Sequence, residues 1–271
     1  HCTVATKQPA MTAASFAEQV DSNEGSKAVD NKLAKLLIDV CRSQSVAVFG
    51  NVSIAVLLAA GIAWGYAYTH GQPLLNEAVT AYQLKSIEIF TQPTLWYAAI
   101  AGVWLFCSGI VAGFFDNRSD YLNLRQRLPF NPFLRKIMRP EPRRRLAAYI
   151  HKHYGSLMGN FIFGMLLGMT GYFGHLFGLP LDIRHVAFSS ANLGYAAISG
   201  HTDIFTFMLG LASVLAIGMV NLVVSFSLAL AVALRSRGTR LGSMRNLLKS
   251  FWSQVKANPL ILLYPVQVNN K

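Results

Sequence analysis

IFTFMLGLASVLAIGMVNLVVSFSLALAVAL, residues 204–234, runs for 31 positions without an Asp, Glu, Lys or Arg. A helix needs about 20 predominantly apolar residues to cross about 30 Å of hydrocarbon. This stretch therefore spans a bilayer with length to spare and has to tilt, bend or project. Three further uncharged runs stand upstream, at 45–68, 95–115 and 154–180. A soluble helical core would need a water-facing polar stripe along runs of this length, and they have none. Composition agrees: 53% of the 271 residues are hydrophobic and 13% charged, against about 25% charged in soluble domains. High apolar content excludes disorder, aperiodic glycine excludes a collagen-like chain, and Cys2, Cys41 and Cys107 make no disulfide framework. The sequence predicts an all-α, polytopic helical membrane protein with four transmembrane helices.

Charge in the connections fixes an orientation. Residues 1–44 carry five basic and five acidic groups; 69–94 sets Lys85 against Glu77 and Glu88; 181–203 sets Arg184 against Asp182 and Asp203. By contrast, 116–153 carries ten basic and three acidic groups, and 235–271 has seven basic groups and no acid. Lys and Arg thus alternate between rich and poor segments in step with the crossings. The positive-inside rule reads both ends and the 116–153 loop as cytoplasmic and leaves two short outer loops.

Outside the spans the pattern stays helical. Residues 1–44 form a surface or soluble helical lead-in, with Thr12 able to cap a helix after Pro9 and a turn at 21–26. Val29, Leu33, Leu36, Leu37 and Val40 then return at helical spacing in a second helix that runs to the membrane. Pro129, Pro132, Pro140 and Pro142 break 116–153 into short pieces. In the 235–271 tail, Leu241, Met244, Leu248, Phe251, Trp252 and Val255 share one face, with Arg240, Arg245, Lys249 and Lys256 elsewhere. This is the pattern of a basic amphipathic interfacial helix, ended by Asn258 and Pro259. The chain starts at His1 with neither Met nor a signal-peptide pattern, so a preceding N-terminal part of the same protein is expected as a partner of this segment.

The third span carries Gly164, Gly168, Gly171 and Gly178 on one nearly bare face, with Gly155 and Gly159 near its inner end. That face suits a close helix contact, and His175 in the same series is expected to point into a contact or cavity that supplies its partner. In the fourth span Gly210, Val214, Gly218, Asn221 and Ser225 make a second narrow polar face, with Asn221 near mid-membrane. The outer loop between them concentrates polar groups: Asp182, Arg184, His185, Ser189 and Asn192, then His201 and Asp203. They can form a hydrophilic pocket, or simply pair as Asp182–Arg184 and Asp203–His201 to tie the loop. Three His and two Asp within 29 positions also admit a metal, but no HExxH or other close-spaced ligand pair supports one. Since Pro180 ends a helix and Asp182 can cap the next, 182–195 reads as a re-entrant or interfacial helix. His151 and His153 diverge on a helix and share no metal.

Three stretches carry a family likeness: 5–12 (ATKQPAMT), 41–51 (CRSQSVAVFGN) and above all 174–192 (GHLFGLPLDIRHVAFSSAN). On them the chain resembles the C-terminal half of the bacterial Gcr-type family labelled site-specific recombinase. The resemblance implies a proteobacterial inner-membrane protein and DNA recombination. The chemistry of that label asks for a Tyr nucleophile with Arg and His on the scissile phosphate, commonly with an His-x-x-Arg step, or a Ser among several Arg. No His here has Arg three positions later, and Arg184, His185, Ser189 and Tyr195 fall on the face away from the chromosome. No catalytic assignment is carried over.

The inner face gathers Arg125, Arg127, Arg135, Lys136, Arg139, Arg143, Arg144 and Arg145. These set topology and meet anionic lipid, at about 1 kcal/mol each near the surface. DNA phosphate is the less favoured partner, because no base-reading motif accompanies the charge. No GxxxxGK[ST], GxGxxG, CxxC or GxSxG is present, so no nucleotide or other cofactor is indicated. Foremost stands a non-enzymatic membrane protein that binds or conducts something through a polar site on its non-cytoplasmic side. The alternatives are DNA binding at the basic face and a membrane-embedded metal-dependent enzyme.

Overall fold

The computed structural model describes residues 7–21, 27–238 and 244–262. In order they form α1 (Gln8–Asp21), α2 (Lys27–His70), α3 (Glu77–Ile87), α4 (Thr94–Tyr121), α5 (Leu124–Arg127), a 3-10 turn (Leu128–Phe130), α6 (Pro132–Ile137) and α7 (Pro140–Phe177). Then follow α8 (Val186–Ala197), α9 (Ile204–Ser236), α10 (Met244–Ala257) and a second 3-10 turn (Pro259–Leu262), with no strand among the described residues. Four stretches, Leu33–His70, Thr94–Tyr121, Pro140–Phe177 and Ile204–Ser236, are long and apolar enough to cross a membrane.

These helices outrun the uncharged stretches at their polar ends. α2 is continuous for 44 residues from Lys27, and α7 begins at Pro140 rather than near 154. Absence of charge marks where lipid is tolerated; backbone hydrogen bonding continues past it until a breaker intervenes. Pro140 and Pro142 stand in the first turn of α7, where a missing N–H costs nothing. At the other end α7 stops at Phe177, before 180, because Gly178 takes the left-handed conformation (φ 63°) as its C-cap. α1 starts at Gln8, ahead of the expected Thr12 cap, and Met11 N–H bonds to Lys7 O at 3.0 Å. Most of the turn expected at 21–26, together with Arg240 and Leu241 of the tail, lies outside the described residues.

The described residues divide into two compact units, 7–11 with 103–181 and 12–102 with 182–262. In the first, α7 lies against the C-terminal part of α4. The contact is closest at Gly155, where an added Cβ would stand 2.2 Å from Ala112 O, and at Gly159, where it would meet Ala112 Cβ at 2.8 Å. Trp104 Nε1 donates to Thr170 Oγ1 at 2.8 Å. Toward the C-terminal end of α4, Asp116 accepts from Gly155 N–H at 3.0 Å and from Lys7 Nζ. Nearby, Ser119 Oγ lies 3.0 Å from His151 Nδ1, and Asp120 lies 3.7 Å from Nε2 of the same ring. Among the described residues nothing stands within 4 Å of a Cβ at Gly164, Gly168 or Gly178, so the close contact is made at the Gly155 and Gly159 end of the glycine series.

The second unit has two apolar cores. One joins Val48 and Val52 of α2, Ile87, Ala98, Val186 and Leu193 of α8, and Val214 and Ile217 of α9. The other joins Phe16, Ala17 and Val20 of α1 to Leu33 and Ala34 of α2, Leu234 of α9 and Leu247 of α10. The two ends of the described chain thus meet at one end of this unit. α10 is partly covered: Leu247 and Val255 are buried, Leu248 and Trp252 exposed. Gln254 Nε2 donates to Asn31 O at 3.0 Å, and Arg42 reaches Ile261 O at 3.2 Å.

Candidate functional site

In the second unit α8 folds back along α2 and α9. Gly194 allows it to touch α2, since a Cβ there would stand 2.5 Å from Val56 O. Gly218 of α9 admits Val48 and Val186, and Gly210 admits Leu193. The start of α8 is held by Asn221 of α9. Its Oδ1 accepts from Val186 N–H at 3.0 Å, while Nδ2 donates to Ala98 O at 2.7 Å and Arg184 O at 3.1 Å. A 2% exposed amide on α9 thereby ties the backbones of two other segments, Ala98 of α4 and 184–186 at the start of α8, to its own helix.

Arg184 completes the knot. Its Nε donates to Ser86 O at 2.6 Å, and Nη1 donates to Asp182 Oδ2 at 2.7 Å and Ile183 O at 2.8 Å. The guanidinium carbon lies 5.6 Å from the Tyr97 ring centre. Three hydrogen bonds to one carboxylate and two main-chain carbonyls fix the arginine as a strut. Asp182 is turned to Arg184 and Ile183 N–H, so His185, and not Asp182, is the N-cap of α8; its Nδ1 accepts from Ala187 N–H at 3.4 Å.

His185 lies outside the four long apolar helices, and burial pushes its imidazole from 6.5 down to about 4. An imidazolium would lose the acceptor that caps α8 and set positive charge at a helix N-terminus. Because the folded-state value is the lower one, the unfolded chain takes the proton first as pH falls. Stability is whole above about 6.5 and declines toward about 4, by up to about 3 kcal/mol. Unfolding of purified protein between pH 7.5 and 4 checks this. His185→Asn, which keeps a capping acceptor without titrating, is expected to flatten the decline; an unchanged slope would remove His185 as its source.

The remaining polar residues of the 181–203 connection build a separate feature. Asp203 caps α9, accepting from Phe205 and Thr206 N–H at 3.2 and 3.4 Å. The Thr206 hydroxyl, with help from those amides, holds its carboxyl below the usual aspartate range. His201 does not pair with it; His201 N–H donates to Ser199 Oγ, and Thr202 donates to Ala196 O. Together with Glu77, Thr80, Ala81 and Leu84 of α3, residues 200–203 line a cavity of about 590 Å³. A smaller one of about 160 Å³ shares Leu84 and continues between α3 and α9 past Lys85, Glu88 and Ser213.

Of the expected polar set, Asp182, Arg184, His185 and Asn221 come together, with Ser189 buried and Asn192 half-buried on α8. His201 and Asp203 belong to the cavity. His175 is exposed on α7, its expected partner face being open at Gly164 and Gly168. Among the described residues no three His, Cys, Asp or Glu are grouped to hold a metal. α3 was missed in the sequence, although Asn76 caps it and Glu77 and Lys85 sit at its favourable ends. On the 116–153 segment Arg125, Arg127, Arg135, Lys136, Arg139, Arg144 and Arg145 are exposed and Arg143 half-buried.

A family model described as site-specific recombinase matches residues 1–265. No curated protein and no solved structure matches the chain.

Proposed function

This chain belongs to the site-specific recombinase family, and we propose that it is a non-enzymatic inner-membrane protein that binds a small polar solute at its non-cytoplasmic face. The observation that carries the reading is the cavity at the heads of α3 and α9, where Glu77, Thr80, His201 and Asp203 offer charge and hydrogen bonds in a space of small-molecule size. Cation-poor outer loops and cation-rich inner ones support the orientation. The apolar core that joins α1 to α10 fits an even number of crossings, which brings both ends to one side.

Strand exchange is disfavoured by how its residue types are used. Tyr97, Arg184 and His185 stand together, yet the arginine is engaged by Ser86 O, Ile183 O and Asp182, and the imidazole caps α8. A scissile phosphate would have to displace that knot.

The test is a thermal-shift screen of small polar solutes against the full chain in nanodiscs. Glu77→Gln and His201→Ala, both on exposed side chains, are expected to weaken a stabilising solute about tenfold or more; His201→Ala leaves the ligand-free melting temperature unchanged, and Glu77→Gln lowers it slightly by taking a carboxylate from the first turn of α3. An empty screen, with salt-sensitive DNA binding that Arg143→Gln, Arg144→Gln and Arg145→Gln abolish, would replace this reading with the DNA-binding one.

A further inference from the structure

On the inner segment of the first unit, three large apolar side chains stand out from the protein: Phe130 is 71% exposed, Phe133 68% and Ile137 59%. Phe133 and Ile137 are four apart on α6 and share a face, and Phe130 closes the 3-10 turn just before it. Exposed cations flank this blade, Arg125 and Arg127 on α5, then Arg135, Lys136 and Arg139. Between 121 and 145 the one carboxylate is Glu141, and it bonds Arg145 at 3.3 Å. Among the described residues Arg125, Arg127, Arg135, Lys136 and Arg139 are exposed and make no ion pair with a carboxylate.

We propose that 124–139 is a membrane-interface anchor in which Phe130, Phe133 and Ile137 enter the acyl boundary while Arg125, Arg127, Arg135, Lys136 and Arg139 bind the phosphates of anionic lipid. Three observations point to lipid. The segment is joined on both sides to long apolar helices, α4 ending at Tyr121 and α7 starting at Pro140, which keeps it near the membrane surface. Its charge complements anionic headgroups. A protruding aliphatic and aromatic blade suits acyl chains, whereas duplex phosphate offers it nothing to bury against. The proposal rests on the membrane reading given above and adds the contacts by which the inner face selects its lipid.

The full chain is reconstituted in nanodiscs of phosphatidylcholine alone or with phosphatidylglycerol, and amide exchange of 124–139 is followed. Exchange is expected to slow at least about tenfold in the anionic discs. The Phe130→Ser, Phe133→Ser, Ile137→Ser variant abolishes that protection, and so does neutralising the five cations to Gln. Phe133→Leu, which keeps an apolar side chain, preserves it. Equal exchange in both lipids with the chain still inserted overturns the anchor alone. Extraction of the chain by alkaline carbonate overturns the membrane reading and the anchor together. Protection by short duplex DNA in neutral discs, with none from anionic lipid, overturns it in favour of nucleic acid.

Discussion

Leucine in place of Asn221 is expected to lower stability by about 3 kcal/mol and to release the start of α8 to amide exchange. The side chain is almost wholly buried and makes three hydrogen bonds, all to main-chain groups: Val186 N–H, Ala98 O and Arg184 O. Polar contacts between membrane helices average only about 0.6 kcal/mol, because each freed group usually finds another partner. Here the largest part of the cost comes from a group that has none to find. Val186 N–H is the first amide of α8, ahead of any intrahelical acceptor. Gly102 shows how closely the site is fitted: a Cβ there would stand 2.8 Å from Val224 Cβ and 2.9 Å from Asn221 O, so α4 reaches Asn221 only because position 102 is bare. Unfolding in mixed micelles measures the loss, and Asn221→Ser, which keeps an acceptor, falls between wild type and leucine. A leucine variant within about 0.5 kcal/mol of wild type would show that the knot is decorative.

Asn221 was visible in the sequence because a lone amide in an uncharged run cannot face lipid. Its partners were not, since two of the three are carbonyl oxygens of Ala98 and Arg184, and main-chain acceptors leave no mark in the order of side chains. Ser86, which takes the Arg184 Nε, was hidden for the same reason. Four long apolar helices and the proline-broken inner segment were legible because bilayer thickness and the missing proline N–H act locally. α8 was legible as an element, at 186–197 where 182–195 was expected, but its cap moved from Asp182 to His185 because Arg184 claims the aspartate. His175 marks the limit of periodicity. A repeat of glycine identifies a bare face, while what approaches it depends on every other surface in the fold; within the first unit α4 approaches at Gly155 and Gly159, the part of the series farthest from His175.

That difference within one helix supplies the sharpest contrast in the molecule. Gly155→Ala is expected to destabilise by about 3 kcal/mol or more, and Gly168→Ala to stabilise by up to about 1 kcal/mol. A methyl at 155 would stand 2.2 Å from Ala112 O and 2.3 Å from Asp116 Oδ1. The first is backbone and cannot rotate away. The second is the carboxylate that accepts from Gly155 N–H and Lys7, so displacing it breaks two further bonds at the inner end of α4. At 168 nothing lies within 4 Å, so the methyl meets no wall and alanine's better helix propensity is all that changes. Gly194→Ala extends the contrast to the second unit, where the Cβ would stand 2.5 Å from Val56 O, and it is expected to resemble 155. Melting of the three single variants in one detergent decides the matter. Equal effects at 155 and 168 would mean that α4 and α7 do not meet along Gly155 and Gly159, and a large loss at 168 would mean that its open face is covered by a neighbour that a single chain does not contain.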